Sequence, residues 1–329
     1  MRRILAATLI GFCGHLLSGT AATAQECKPL LRYAQIPFQQ DSTKHIHLPV
    51  MVGGIQSRMM LDTGAFWSLL RRDVATQLGL EPRRNYNLVM VDGGGTRIDQ
   101  SVLVPAFRLG QLNFGAAEFF VSDFWAGAPL NEQAGVIGQN LLAKVHLEID
   151  NAGKTVSIFS QDHCSGDGVY WADEAVVLKY ERKGARTRAT GSRLKRDVDQ
   201  NQIDEPVVTA ELQGKPVRLL FDTGATFTSM DLEHARNAFG LTKNSPGVVP
   251  AGSVIVGSGA TIETYRYVFS ELKISGIRFE NVPVLLGNFD RSAQVLLGMN
   301  EMSKLRIYFA FKEGAIYVTA ADAGRTQPN

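Results

Sequence analysis

Two short stretches of this chain carry residues able to do acid–base chemistry. Asp62-Thr63-Gly64-Ala65 returns 160 residues later as Asp222-Thr223-Gly224-Ala225. Each copy follows an apolar run, Met59-Met60-Leu61 in the first and Leu219-Leu220-Phe221 in the second. That is the pattern of a strand delivering a carboxylate into a tight turn. Val136-Ile137-Gly138 ends 76 residues after Asp62, and Leu296-Leu297-Gly298 ends 76 residues after Asp222. A motif that repeats together with its downstream landmark marks an internal duplication.

Duplicated halves tend to pack about a pseudo-twofold axis, as identical subunits do. A turn near that axis brings Asp62 and Asp222 face to face. Two carboxyls a few ångströms apart do not both ionise easily and share one proton. The ionised member then takes a proton from a water held between them, and the protonated member donates to the carbonyl oxygen under attack. Such a pair hydrolyses peptide bonds with neither a metal, a cofactor nor a covalent intermediate. Thr63 and Thr223 would hydrogen-bond across the axis and fix the turns together. Gly64 and Gly224 would leave room for the opposite turn and permit unusual dihedrals. The glycine-rich segments Gly93-Gly94-Gly95 and Gly257-Ser258-Gly259 would close over an extended polypeptide as flaps.

The elements that must position these groups are mostly strands. In the first repeat, 45–160, strand and turn signals run through 47–52, 57–61, 102–109 and 117–122, with a last pair at 145–149 and 155–159. A short helix is expected at 75–80, ended by Gly79, and another after Gly138. Asp92 and its three glycines, flanked by 87–91 and 96–99, read as a hairpin whose tip is mobile for want of packing side chains. The second repeat, 205–320, follows the same order, with strands at 207–212 and 217–221, a helix at 232–239 ended by Gly240, and a hairpin at 254–261. Between them, 161–204 reads as a connector; its centre carries eight basic residues from Lys179 to Arg196 and reads as solvated, with 176–178 able to add an edge strand.

Composition bounds the rest. The chain has 329 residues, 45% hydrophobic and 20% charged, enough for about two domains with a real core. A formal charge of +2 gives no reason to expect nucleic acid or an anionic membrane as partner. Residues 1–25 read as a secretory signal: Arg2-Arg3, a short apolar stretch, and Ala22-Thr23-Ala24 as the cleavage pattern, cut near Ala24. The apolar stretch falls short of the about 20 residues of a spanning helix, and Phe12 before Cys13 argues against lipidation. The mature protein is therefore expected to be periplasmic or secreted, off the membrane. Removing the signal leaves Cys27 and Cys164, an even pair expected to bond in an oxidising compartment.

The chain resembles the pepsin–retropepsin group of aspartic proteases, in its bacterial branch with two retropepsin-like repeats in one chain. Asp-Thr-Gly-Ala twice, a glycine-rich hairpin after each, and Gly135-Val136-Ile137-Gly138-Gln139-Asn140-Leu141-Leu142 carry the resemblance, over about 45–160 and 205–320. It implies an all-β fold with short helices, in which two acid-protease β-barrel lobes are related by a pseudo-twofold axis. It also implies Asp62 and Asp222 as the catalytic dyad, an inter-lobe grip by Thr63 and Thr223, and apolar-apolar-Gly segments crossing behind each turn. The sequence departs from the family at Phe66-Trp67, bulkier than Thr226-Phe227 of the second turn, and expected to pack into the core rather than shape a pocket. Met299-Asn300-Glu301-Met302 matches loosely, and neither flap carries the tyrosine of pepsin-like enzymes.

Other readings compete. A periplasmic peptide-binding or scaffold protein would use the fold without turnover, although binding alone requires neither carboxylate. Each repeat can also pair with its own copy in a second chain, since the connector permits either arrangement; a monomer with an internal dyad is preferred. A metal site is not supported: His45 and His47 project to one strand face with no third ligand nearby, and His146, His163 and His234 are scattered. There is no serine nucleophile elbow and no phosphate-binding loop.

Overall fold

Alternating apolar residues build the first barrel. In the strand Ile46–Val52 every second side chain is buried, as a sheet with one face on a core requires. The strand Ile55–Leu61 begins the same way but ends with Met59, Met60 and Leu61 all buried, because its last turn runs into the centre of the molecule. The computed structural model describes residues 27–125, 128, 132–180, 205–290 and 293–324; the expected signal segment and the connector at 181–204 lie outside them.

Six strands close the first barrel in the order Ile46–Val52, Ile55–Leu61, Gly135–Ile137, Leu69–Arg71, Leu112–Ser122 and Gln100–Leu109, the last pairing back to the first. The second barrel repeats this with Val207–Leu212, Lys215–Phe221, Val295–Leu297, Ser229–Asp231, Ile277–Gly287 and Thr261–Ile274, again closed on itself. The fold is all-β with short helices, as expected. In each barrel the three-residue apolar strand before Gly138 or Gly298 slots between the strand entering the Asp turn and the strand leaving it. It runs parallel to the first and antiparallel to the second. Closure leaves few unpaired edges, and each fully buried Leu, Ile, Val or Phe contributes about 1.5–3 kcal/mol.

The two barrels share a third sheet. Its order is Arg32–Pro37, Thr155–Phe159, His146–Asp150, Leu305–Ala310, Ala315–Ala320 and Val176–Lys179. The junction lies at its middle, where Leu147 faces Phe309 and Asp150 faces Arg306. Arg306 donates from Nε to Glu148 at 2.7 Å, so the charge buried at the junction is paired. The Asn151 amide donates to the Met302 and Leu305 carbonyls at 3.0 and 2.8 Å, tying the first half to the turn of the second. Cys27 and Cys164 form a disulfide across a Cα–Cα distance of 4.8 Å, fastening the N-terminal strand to this sheet. The expected edge strand at 176–178 is present as Val176–Lys179, paired with Ala315–Ala320.

One helix shifts from its expected place and another keeps it. The first helix occupies Arg72–Gln77, three residues earlier than its apolar pattern suggests, because it starts directly from a buried strand with no side-chain cap at Arg71 to mark it. The helix Leu232–Phe239 matches, with Asp231 capping Glu233 N and His234 N and Gly240 left-handed at its end.

Candidate active site

Asp62 and Asp222 stand at the ends of the two central strands, where the barrels meet. The Asp62 N–H donates to Ile137 O at 3.0 Å and the Asp222 N–H to Leu297 O at 3.1 Å, so the apolar-apolar-Gly segments hold both turns from behind. The Gln139 N–H donates to Ala65 O at 2.9 Å, and the Met299 N–H to Ala225 O at 2.8 Å. A Cβ on Gly138 would lie 2.6 Å from the Trp67 carbonyl carbon, and one on Gly298 would lie 2.6 Å from the Phe227 oxygen. Only glycine lets the two backbones approach this closely.

The threonines bind reciprocally. The Thr63 hydroxyl donates to Phe221 O at 2.7 Å and accepts from Thr223 N–H at 3.1 Å. The Thr223 hydroxyl donates to Leu61 O at 2.8 Å and accepts from Thr63 N–H at 3.0 Å. Both threonines are fully buried. Four bonds, two in each direction, therefore fix one turn against the other.

Each carboxylate lies on the opposite glycine. A Cβ on Gly64 would sit 2.6 Å from Asp222 Oδ2, and one on Gly224 would sit 2.6 Å from Asp62 Oδ1. Asp62 Oδ1 accepts from Gly64 N–H at 2.9 Å and Ala65 N–H at 2.8 Å, while Asp222 Oδ1 accepts from Gly224 N–H at 2.8 Å. Burial, then the Asp222 charge and a hydrogen bond with the Asp222 carboxyl, hold Asp62 well above the usual carboxylate range. The backbone donors pull the other way and do not win. Two carboxyls placed this way are set to share one proton between them.

The two glycine hairpins meet each other. Asp92 N–H bonds to Thr96 O at 3.0 Å and Val256 N–H to Ala260 O at 2.9 Å, closing matching turns in which Gly95 and Gly259 take φ of 82° and 88°. A side chain is strained there, so glycine is required. The expectation of a mobile first tip does not hold, because the buried Asp92 carboxylate ties it. Oδ1 accepts from Gly94 and Thr96 N–H at 3.0 and 2.8 Å, while Oδ2 accepts from Ser258 N–H of the other hairpin at 2.8 Å. The Asp290 N–H adds a bond to Gly93 O at 2.9 Å, and the Ser122 hydroxyl donates to Gly257 O. The signal was present in the sequence: an Asp before a glycine run caps its own turn.

The aromatic pair after the first turn is half-buried. Trp67 lies edge-on to Phe120 at 6.1 Å and donates to Glu118 O at 3.1 Å, packing with Met90 and Ile98 beneath the first hairpin. It joins a satellite cluster rather than the main core.

The histidines need correction. His45 and His47 do have a third group near them, Asp41, whose Oδ2 is 3.5 Å from His45 Nδ1 and 3.1 Å from His47 Nε2. The sequence hid this because Asp41 precedes the strand and a turn at Lys44 folds it back. His146 and His163 are likewise not scattered but meet at 2.8 Å, with Tyr308 and Glu313 beside them. His163 Nδ1 donates to Cys164 O at 2.7 Å, which leaves Nε2 to accept from the Tyr308 hydroxyl at 2.9 Å, and that hydroxyl accepts from His146 Nδ1–H at 3.2 Å. His146 Nε2 in turn accepts from Lys312 N–H at 3.3 Å. Every ring nitrogen has a complementary partner, so the cluster is a core network rather than a set of convergent lone pairs. Burial, then the charges of His163 and Lys312, push His146 down to about 3.

Comparison with known proteins gives a family model described as aspartyl protease, matching residues 48–141 and 208–300. Among solved structures, the fold is similar to basic 7S globulin from soybean, at 10% identity and a TM-score of 0.46, covering 91% of this chain and 97% of that one. It is also similar to a retropepsin-like aspartic protease from Rickettsia conorii, at 16% identity and a TM-score of 0.28, covering 40% of this chain and 93% of that one. No curated protein matches the sequence.

Proposed function

The chain belongs to the aspartyl protease family, matched in both of its repeats, and we propose that it is a secreted or periplasmic endopeptidase whose dyad is Asp62 and Asp222. The observation that carries this reading is the reciprocal pair of threonine bonds, which sets both aspartate turns face to face within one chain. It favours a monomer with an internal dyad over pairing between two chains.

In this reading the shared proton sits on Asp62, whose carboxyl is raised by burial and by the Asp222 charge. A water between the carboxyls gives a proton to Asp222 as its oxygen attacks the scissile carbonyl carbon. Asp62 gives its proton to the carbonyl oxygen, and a neutral tetrahedral diol forms. As the diol collapses, Asp222 passes its proton to the leaving amine and a diol hydroxyl returns one to Asp62, restoring the pair. Gly93-Gly94-Gly95 and Gly257-Ser258-Gly259 cover the substrate and exclude bulk water. Secretion is supported by residues 1–25 and by the Cys27–Cys164 bond, which persists in an oxidising compartment. Among the described residues no helix is long and apolar enough to cross a membrane.

The test is cleavage of an unfolded protein substrate from acid to neutral pH by the mature chain, by Asp62→Asn and by Asp222→Asn. Cleavage by wild type and loss in each single variant is the expected result. Substantial activity in both variants would mean pairing between chains, and no cleavage by folded wild type would turn the reading to a peptide-binding protein.

A further inference from the structure

The two aspartate turns differ in what stands beside them. Thr226, four residues after Asp222, is matched in the first turn by Phe66. From the first barrel, His45 reaches Thr226 across the junction, with Nε2 3.3 Å from the hydroxyl. The ring also feels the Asp222 charge. Phe66 has no hydroxyl to make such a bond, so this is an asymmetry in a site otherwise built by duplication.

His45 is held for this purpose by its own segment. Asp41 Oδ1 accepts from Thr43 N–H at 2.9 Å, from the Thr43 hydroxyl at 2.6 Å and from His45 N–H at 3.0 Å. Lys44 takes a φ of 66°, a left-handed conformation that turns the chain so the His45 ring points inward. The Thr43 hydroxyl proton is already given to Asp41, so at 2.8 Å it accepts from His45 Nδ1–H. In the neutral ring Nε2 is then an acceptor, and it takes the Thr226 hydroxyl proton. Protonating the ring reverses that bond: Nε2–H donates to Thr226 Oγ1, and the hydroxyl proton turns toward the cleft.

We propose, resting on the protease reading above, that His45 is a positioning residue for Asp222, making Asp222 the carboxylate of the pair and Asp62 the acid. In acid the imidazolium places a positive charge and a reoriented Thr226 hydroxyl beside Asp222, so the singly protonated pair survives to lower pH. The groups facing the ring are Asp41 and Thr43 from its own segment, His47 from the adjoining strand, and Thr226 and Asp222 from the second barrel. Burial holds the ring below the usual histidine range; the Asp41 charge opposes this, His47 adds to it, and the Asp222 charge opposes it. His45 is therefore neutral on the alkaline side of the activity profile and charged only toward its acid side.

The experiment compares the pH profiles of kcat/KM for wild type and His45→Gln, a neutral side chain able to keep the Thr226 bond. Asp222 ionises less readily without the charge. The acid limb should move up by about one pH unit, the size of one charge several ångströms away, while the alkaline limb stays in place. A purely structural role would lower activity at all pH values without moving either limb. An unmoved acid limb overturns the proposal and leaves the protease reading intact. Alongside it, NMR titration of His45 in wild type and Asp222→Asn needs no turnover. The His45 midpoint should fall when the Asp222 charge is removed. If wild type cleaves nothing, the protease reading fails, and an unchanged His45 midpoint would then overturn the coupling as well.

Discussion

The Asp92 carboxylate accepts a hydrogen bond at 2.8 Å from the Ser258 backbone N–H, 166 residues away. One oxygen shapes the turn that carries it while the other ties that turn to the opposite hairpin. The two hairpin tips are thus one interlocked unit.

Asp92→Asn should loosen it. An amide satisfies either the turn or the Ser258 N–H as acceptor, not both, and its NH2 faces a donor on the other side. Losing a charge-assisted bond favours the open form by about tenfold. Hydrogen exchange at the Ser258 amide should accelerate accordingly, and a peptide inhibitor directed at the dyad should associate faster. Unchanged exchange would mean that Asp290 N–H and Ser122 suffice to hold the tips.

Thr63→Val keeps the side-chain shape but leaves the Phe221 carbonyl and the Thr223 N–H without their partner. A cost of about 2–4 kcal/mol in urea unfolding is expected, with a similar cost for Thr223→Val. The double variant should cost less than the sum, because each change already loosens the one turn-to-turn contact that both serve. Strict additivity would show that the two sides act independently.

The Asp62 proton makes stability depend on pH in a defined sense. Its folded value is raised above the ordinary 3.8, so its contribution is complete below the unfolded value and is lost as pH rises through the folded one. Asp62→Asn removes that loss. At neutral pH the variant should melt a few degrees above wild type, and in strong acid the difference should vanish. Equal melting temperatures at both pH values would show that Asp62 is not raised.

Replacing both Cys27 and Cys164 by Ser should destabilise the protein by up to about 4–5 kcal/mol, given the 137-residue separation that the bond closes. The strand Arg32–Pro37 is the element it fastens, so protease nicking near the N-terminus should precede global unfolding in the variant. Nicking elsewhere first would mean the strand stays docked without the bond.

The duplicated aspartates, their threonines, the strands feeding them and the helix Leu232–Phe239 could be read from the sequence because each depends on residues close in the chain. Pairings that join distant segments could not. The strand Arg32–Pro37 has no strong alternation and exists because Thr155–Phe159 offers it an edge. Neither Leu69–Arg71 nor Ser229–Asp231 is long enough to show a period, and each is a strand only by lying beside a buried neighbour. His45 and Thr226 belong to segments with no local pattern in common, and only the meeting of the barrels makes them neighbours. Asp92 was visible as a turn former, but its bond to Ser258 needs both hairpins in place.

The shared sheet also orders events in time. His146–Asp150 is buried along its whole length, and its partner Leu305–Ala310 lies far downstream of it in the chain. Until that strand arrives, the first half presents an open, apolar edge, the kind that seeks any available strand. Contacts of this separation form slowly. The protein therefore cannot mature from its N-terminus onward as ribosomal synthesis proceeds. The sheet edge of the first half is completed only once the second half supplies its strand.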